Sequence, residues 1–161
     1  MTDITSIPTN ERWLYLAGRK DICTGEIVGY TMGNRATKNL VSESLVKAVT
    51  VKRPAAGHIH HSDRGSQYCS RDYRKLVHLF KMKPSRSRRG DCYDNAPMKS
   101  FWATLKTELT FHRHYQTRQE AKRDIQEYIE IFYNRQKKQK KLGYLSPAAY
   151  ERQFYQIQIA A

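Results

Sequence analysis

The sequence predicts a mixed α/β domain, a sheet covered by helices, and three observations carry that prediction. Apolar and β-branched runs alternate with turns through the first sixty residues. Helical apolar stripes follow, interrupted by one further short strand-like run. Strands first, then helices interleaved with another strand, is the pattern of a sheet with helices packed on it. At 161 residues the chain fits one domain spanning 1–161, large enough to bury a core without disulfides or a structural metal.

The first strand is expected over Ile4 to Ile7, with Asp3 at its start, the second over Trp13 to Ala17 and the third over Ile27 to Met32. Thr24 and Gly25 punctuate the stretch between the second and third, which suits an antiparallel connection. Thr37 opens a first helix in which Leu40, Val41, Ser44, Leu45, Ala48 and Val49 recur with helical period. The run Gly57 to Ser62 reads as a fourth strand that ends at Asp63, and carboxylates at strand ends are often functional. Ser70 caps a second helix with Tyr73, Leu76, Val77 and Phe80 inside. The segment 81–90 holds five basic residues, no acid, and the breakers Pro84 and Gly90, so it is expected to be a loop.

Met98, Phe101, Trp102, Leu105 and Leu109 then form one helical stripe, and Phe101 and Trp102 read as core. Thr117 with Glu120 is a capping-box pattern at the start of a long helix expected to bury Ala121, Ile125, Tyr128, Ile129 and Phe132. Ser146 and Pro147 start a short terminal helix to about Gln153.

Composition narrows function. Lys and Arg number 29 against 15 Asp and Glu, a formal charge of +14, and 11 Tyr are interleaved with the basic residues. Such a balance repels itself unless a polyanion compensates, which points to nucleic acid. Cys23, Cys69 and Cys92 show neither paired nor zinc-site spacing and read as reduced thiols. His58, His60 and His61 lie on a strand rather than at paired helical spacing, which argues against zinc. With no signal-like N-terminus and no long apolar span, a cytoplasmic protein without membrane contact is expected.

Several segments in order, TDITSIPTNERWLYLAGRKD, HHSDRGSQYCSRDYRKL, SRRGDCYDNAPMKSFWATLKTE, IEIFYNRQ and LGYLSPAAYE, closely resemble insertion-sequence transposases related to retroviral integrases. The likeness extends over nearly the whole chain. It implies a ribonuclease-H-like mixed sheet flanked by helices and an Asp, Asp, Glu triad holding two Mg²⁺ (or Mn²⁺) ions. It also implies DNA cleavage and strand transfer, with double-stranded DNA, both transposon ends and target, as the partner. A homo-oligomer or a full-length transposase is implied as protein partner. Two adjacent hard cations need oxygen ligands, and they neutralise charge on the attacking and leaving oxygens of a phosphodiester.

By that resemblance Asp3 and Asp63 supply the first two carboxylates. At the third position the family carries Glu and this sequence carries Lys99. A charged lysine has three donors and no lone pair, so it repels a cation instead of ligating it. Glu108, nine residues along the same helix, falls on its opposite side and is no substitute. Asp91 and Asp94 lie at or before the helix start, where either could meet only a stray ion. Weak metal binding and impaired catalysis follow, and the alternative is a non-catalytic basic DNA-binding remnant. Further departures are an apparently shortened first strand, which would hold Asp3 poorly, a missing upstream DNA-recognition region, Gln139 where relatives often show His, and Arg19 at an expected apolar strand position. Expected DNA contacts are Arg64, Ser66 and Gln67 after the second Asp, Arg86, Arg88 and Arg89 before the helix, and Asn95, Lys99 and Lys106 along one helix face.

Overall fold

The computed structural model describes residues 1–88 and 93–160. Three antiparallel strands lead: β1 (Thr2–Thr9), β2 (Arg12–Lys20) and β3 (Ile27–Gly33), in the order β1-β2-β3. Helix α1 (Lys38–Lys52) precedes β4 (Ile59–Ser62), and α2 (Ser66–Cys69) and α3 (Arg71–Leu79) carry the chain over to β5 (Lys83–Arg86), which pairs parallel with β4. β1 and β4 are neighbours without a hydrogen-bonded ladder between them, so the spatial order is β3-β2-β1-β4-β5. Helices α4 (Ala96–Glu108), α5 (Arg118–Glu127) and α6 (Pro147–Ala160) complete the chain.

The side-chain alternation of β2 divides the core. Leu14 and Leu16 face a cluster with Met98, Phe101, Leu105, Ile125 and Ile129, while Ala17 on the other face meets Leu40, Val41, Leu45, Tyr73 and Val77. Caps fix the helix starts as the sequence predicts. Thr37 accepts from the Leu40 amide at 3.2 Å, Ser70 from Tyr73 at 3.3 Å and Thr117 from Glu120 at 3.1 Å.

Three expectations are corrected. Residues 83–86 of the anticipated loop form β5, for a parallel edge strand pairs on one side only and needs neither apolar alternation nor an amide at Pro84. The long helix after α5 continues as a π-helix, Tyr128–Gln136. Its wider turn advances the inward position by one residue, so Tyr133 is buried and the expected Phe132 is 40% exposed. β1 is also not a weakened stub. Every residue from Thr2 to Thr9 is paired with β2, and Asp3 lies opposite Gly18 within that ladder.

Candidate active site

β1 and β4 lie side by side, and their neighbouring ends bring two carboxylates together. Asp3 and Asp63 line one open cavity of about 330 Å³, and Gln67 and Tyr68 from α2 border it. Asp63 follows β4 directly, and its Oδ1 accepts the Gly65 amide at 2.8 Å, a turn that starts α2. Asp3 Oδ2 accepts the indole Nε1–H of Trp102 at 3.2 Å. The Asp3 carboxyl pKa is pushed up to about 6. Burial is the main cause and the charge of Asp63 adds to it, while the Ile4 amide, the Trp102 indole and the Lys99 ammonium pull the other way.

Lys99 is exposed on α4, one turn before Trp102, so the helix face that touches Asp3 carries an ammonium. Among the described residues no group of three or more His, Cys, Asp or Glu converges on a metal position. Two carboxylates on a shared cavity suit one hard cation whose coordination is completed by water. They do not suit a pair of ions. Glu108 is engaged elsewhere, accepting from Tyr128 Oη at 2.6 Å and pairing with Lys137.

The expected DNA contacts divide into three sets. Gln67 reaches the cavity, where its Nε2 donates to Ala36 O at 2.9 Å, and exposed Arg64 ties the Asp63 loop to Ser87 O at 2.9 Å. Ser66 is exposed as the first residue of α2. Arg86 is exposed at the end of β5, Lys106 is half-buried two turns beyond Lys99, and the Arg88 amide and guanidinium both bind Asp94. That pairing holds the Asp94 carboxyl below the usual range, the Arg88 amide being the main cause. Arg89 and Asp91 lie outside the described residues. Asn95 departs from the expected exposed stripe: it is buried, and its Nδ2 donates to Thr2 O at 3.4 Å. Its place just before α4, packed over β1, makes it a brace for the strand that carries Asp3.

Two buried cations occupy successive positions of β2. Arg19 donates to Ser44 Oγ, Val41 O and Tyr73 Oη and meets His60 Nδ1, all neutral acceptors. Burial is the main cause, and the Arg19 charge the second, of a His60 pKa held far below its ordinary value. Lys20, on the opposite face, donates to Tyr133 Oη at 2.9 Å and lies 5.7 Å from the Phe101 ring centroid. Burial, with the charge of Lys141 second, lowers its pKa to about 8. Between that value and the ordinary 10.5 the unfolded chain holds a proton that the folded chain has released. Stability from this residue therefore rises with pH across that window. Denaturant titrations should show the native protein gaining about 1–2 kcal/mol on Lys20→Met between about pH 8 and about pH 10, and an unchanged difference would contradict the assignment.

The sequence reading missed the hydrogen bond from Trp102 to Asp3. The spacing of Trp102 three residues after Lys99 was the available signal, but an aromatic in an apolar stripe reads first as core.

Residues 1–92 match the family described as integrase core domain, and residues 99–154 match a second family of the same description. A 31 kDa protein of insertion element IS600 from Shigella sonnei is 54% identical over 98% of the chain. The transposase for insertion sequence element IS904 from Lactococcus lactis is 41% identical over 93%, and transposase InsF of IS3fB from Escherichia coli is 37% identical over 94%. The chain spans 58%, 59% and 52% of those proteins, a little over half of their length. Among solved structures, the HTLV-2 integrase catalytic core domain in complex with magnesium aligns with a TM-score of 0.68, 10% identity and 92% of each chain covered. A chain of the simian T-cell lymphotropic virus intasome aligns over 66% of this chain and 37% of its own, with a TM-score of 0.60 and 18% identity. At such identities the likeness is one of fold, the ribonuclease-H-like arrangement of retroviral integrase cores.

Proposed function

The chain belongs to the integrase core-domain family carried by insertion-sequence transposases, and from that premise we propose that it is a transposase catalytic core that binds DNA but cleaves and joins it poorly. One observation carries the reading: the two converging aspartates, Asp3 and Asp63, are accompanied at the third position by Lys99. Asp3 and Asp63 would hold a single Mg²⁺ or Mn²⁺. Such an ion, when bound, neutralises charge on a phosphodiester oxygen. The chain's own groups do the rest. Arg64, Arg86, Arg88 and Lys106, with Arg89 expected from the sequence, supply positive charge for the DNA backbone, and Gln67 offers a polar amide at the cavity rim. Lys99 adds a cation that attracts phosphate yet opposes a second ion beside Asp3.

A second reading, a DNA-binding remnant with no catalysis at all, is favoured by the same lysine. The proposed partners are double-stranded DNA, as transposon ends and target, and a further copy of the chain or a full-length transposase. No described helix is long and apolar enough to cross a membrane, and the proposed place of action is the cytoplasm.

Binding and cleavage measured together test the reading. Affinity for a DNA duplex should fall by about a thousandfold between about 50 and about 200 mM salt, as neutralising six or more phosphates requires. The bound duplex should remain essentially uncut with Mg²⁺ or Mn²⁺. A flat salt response would remove the DNA interface, and robust metal-dependent cleavage would refute the impairment. Cleavage that is slow but abolished by Asp63→Ala separates the impaired enzyme from the remnant.

A further inference from the structure

We infer that Trp102 is a positioning residue for Asp3, reaching it across the gap that Gly18 leaves in β2 and fixing its carboxylate for a cation. The inference rests on the reading that Asp3 is a cation ligand, and it adds a residue from the hydrophobic core to that site.

The geometry is specific. Asp3 and Gly18 face each other in the β1–β2 register, so their side-chain positions lie on the same face of the sheet. Trp102 rises from α4 against that face and is 5% exposed. A Cβ at position 18 would stand 2.6 Å from Trp102 Cη2 and 3.1 Å from Cζ2. The indole therefore occupies the space that any other residue at 18 would fill, and from there its Nε1 donates to Asp3 Oδ2 at 3.2 Å. Phe101 has its ring centroid 4.9 Å from that of Trp102, and Met98 belongs to the same core cluster. Asn95, just ahead of the same helix, donates to Thr2 O, so α4 braces both the backbone of β1 and the side chain it presents.

This arrangement answers a physical difficulty. A partly buried carboxylate beside a second carboxylate is costly to keep ionised, and a hydrogen bond to the charged form offsets part of that cost. The bond also commits one carboxylate oxygen to the indole and stops rotation about the side chain, so the remaining lone pairs are held in one orientation. Hydrogen bonds of this kind to metal ligands are worth about 10–100-fold in metal affinity.

Two readouts test it. The chain has two tryptophans, Trp13 and Trp102, so an indole proton spectrum contains two assignable signals, with exposed Trp13 as internal control. In the unmodified protein the Trp102 indole proton should resonate downfield and move upfield in Asp3→Ala while Trp13 stays in place. A Trp102 signal indifferent to Asp3→Ala overturns the inference. Second, Mn²⁺ is titrated into the unmodified chain, Trp102→Phe, Gly18→Ala and Asp3→Ala, with circular dichroism confirming that each is folded. Trp102→Phe and Gly18→Ala should bind Mn²⁺ about 10–100-fold more weakly. Unchanged affinity in Trp102→Phe, with Asp3→Ala losing the ion, overturns the positioning role and leaves the cation reading intact. If Asp3→Ala binds Mn²⁺ as the unmodified chain does, the cation reading fails and the claim that Trp102 fixes a cation ligand fails with it; the indole signal then reports only whether the hydrogen bond exists.

Discussion

Lys99→Glu should strengthen binding of a second Mn²⁺ by roughly a thousandfold and raise cleavage of a duplex that the unmodified chain binds but scarcely cuts. The magnitude follows from charge. At about 4 Å and an effective dielectric near 20, one unit-charge interaction is about 4 kcal/mol, and about 1.4 kcal/mol is a factor of ten. The substitution removes a repulsion and supplies two oxygen ligands at the same position of α4, on the face that already contacts Asp3 through Trp102. Lys99→Gln separates the two contributions, since it removes the charge without adding a carboxylate. On charge alone it should recover about half of the gain, the carboxylate supplying the rest. If Lys99→Glu neither binds a second ion nor gains cleavage, the lesion lies elsewhere in the chain.

Arg19→Met should stabilise the protein, by at most about 1–4 kcal/mol, the range reached when a buried ion pair is replaced by apolar groups of similar volume. For a chain of this size that is a rise in melting temperature of about 2–4 °C per kcal/mol. Arg19 is 4% exposed, and each partner it contacts is neutral. Its desolvation is therefore offset by no opposite charge among the described partners. Removing it costs His60 Nδ1 its 3.4 Å contact, while Ser44 Oγ still donates to Val41 O at 2.8 Å and Tyr73 Oη still meets His60 Nε2 at 2.9 Å. His60 would also recover part of its lost basicity. Loss of stability in Arg19→Met, read by calorimetry, would mean that the guanidinium bonds outweigh the desolvation of the charge.

The same residues explain what could be read without coordinates. The three leading strands and the capped starts of α1, α3 and α5 have local signatures, alternation and a hydroxyl before a helical stripe, whereas the pairing of Asp3 with Asp63 is implied by the family resemblance. β5 has none. It is an edge strand placed by its parallel partner β4, which sequence separation hides. The π-helix Tyr128–Gln136 likewise leaves no mark in composition, yet it exchanges Phe132 for Tyr133 in the core. Asn95 looked like a surface donor because amides are usually exposed, and only the packing of α4 across β1 turns it inward. The role of Trp102 depends on its meeting the Asp3–Gly18 register from far along the chain.

Counting ions decides the central claim most directly. Mn²⁺ binding to the unmodified chain, followed by the electron paramagnetic resonance of free Mn²⁺, should reach one ion per chain, lost in Asp3→Ala and in Asp63→Ala, and two in Lys99→Glu. Two firmly bound ions in the unmodified chain would contradict it, for an ammonium at position 99 would then be no obstacle to the second.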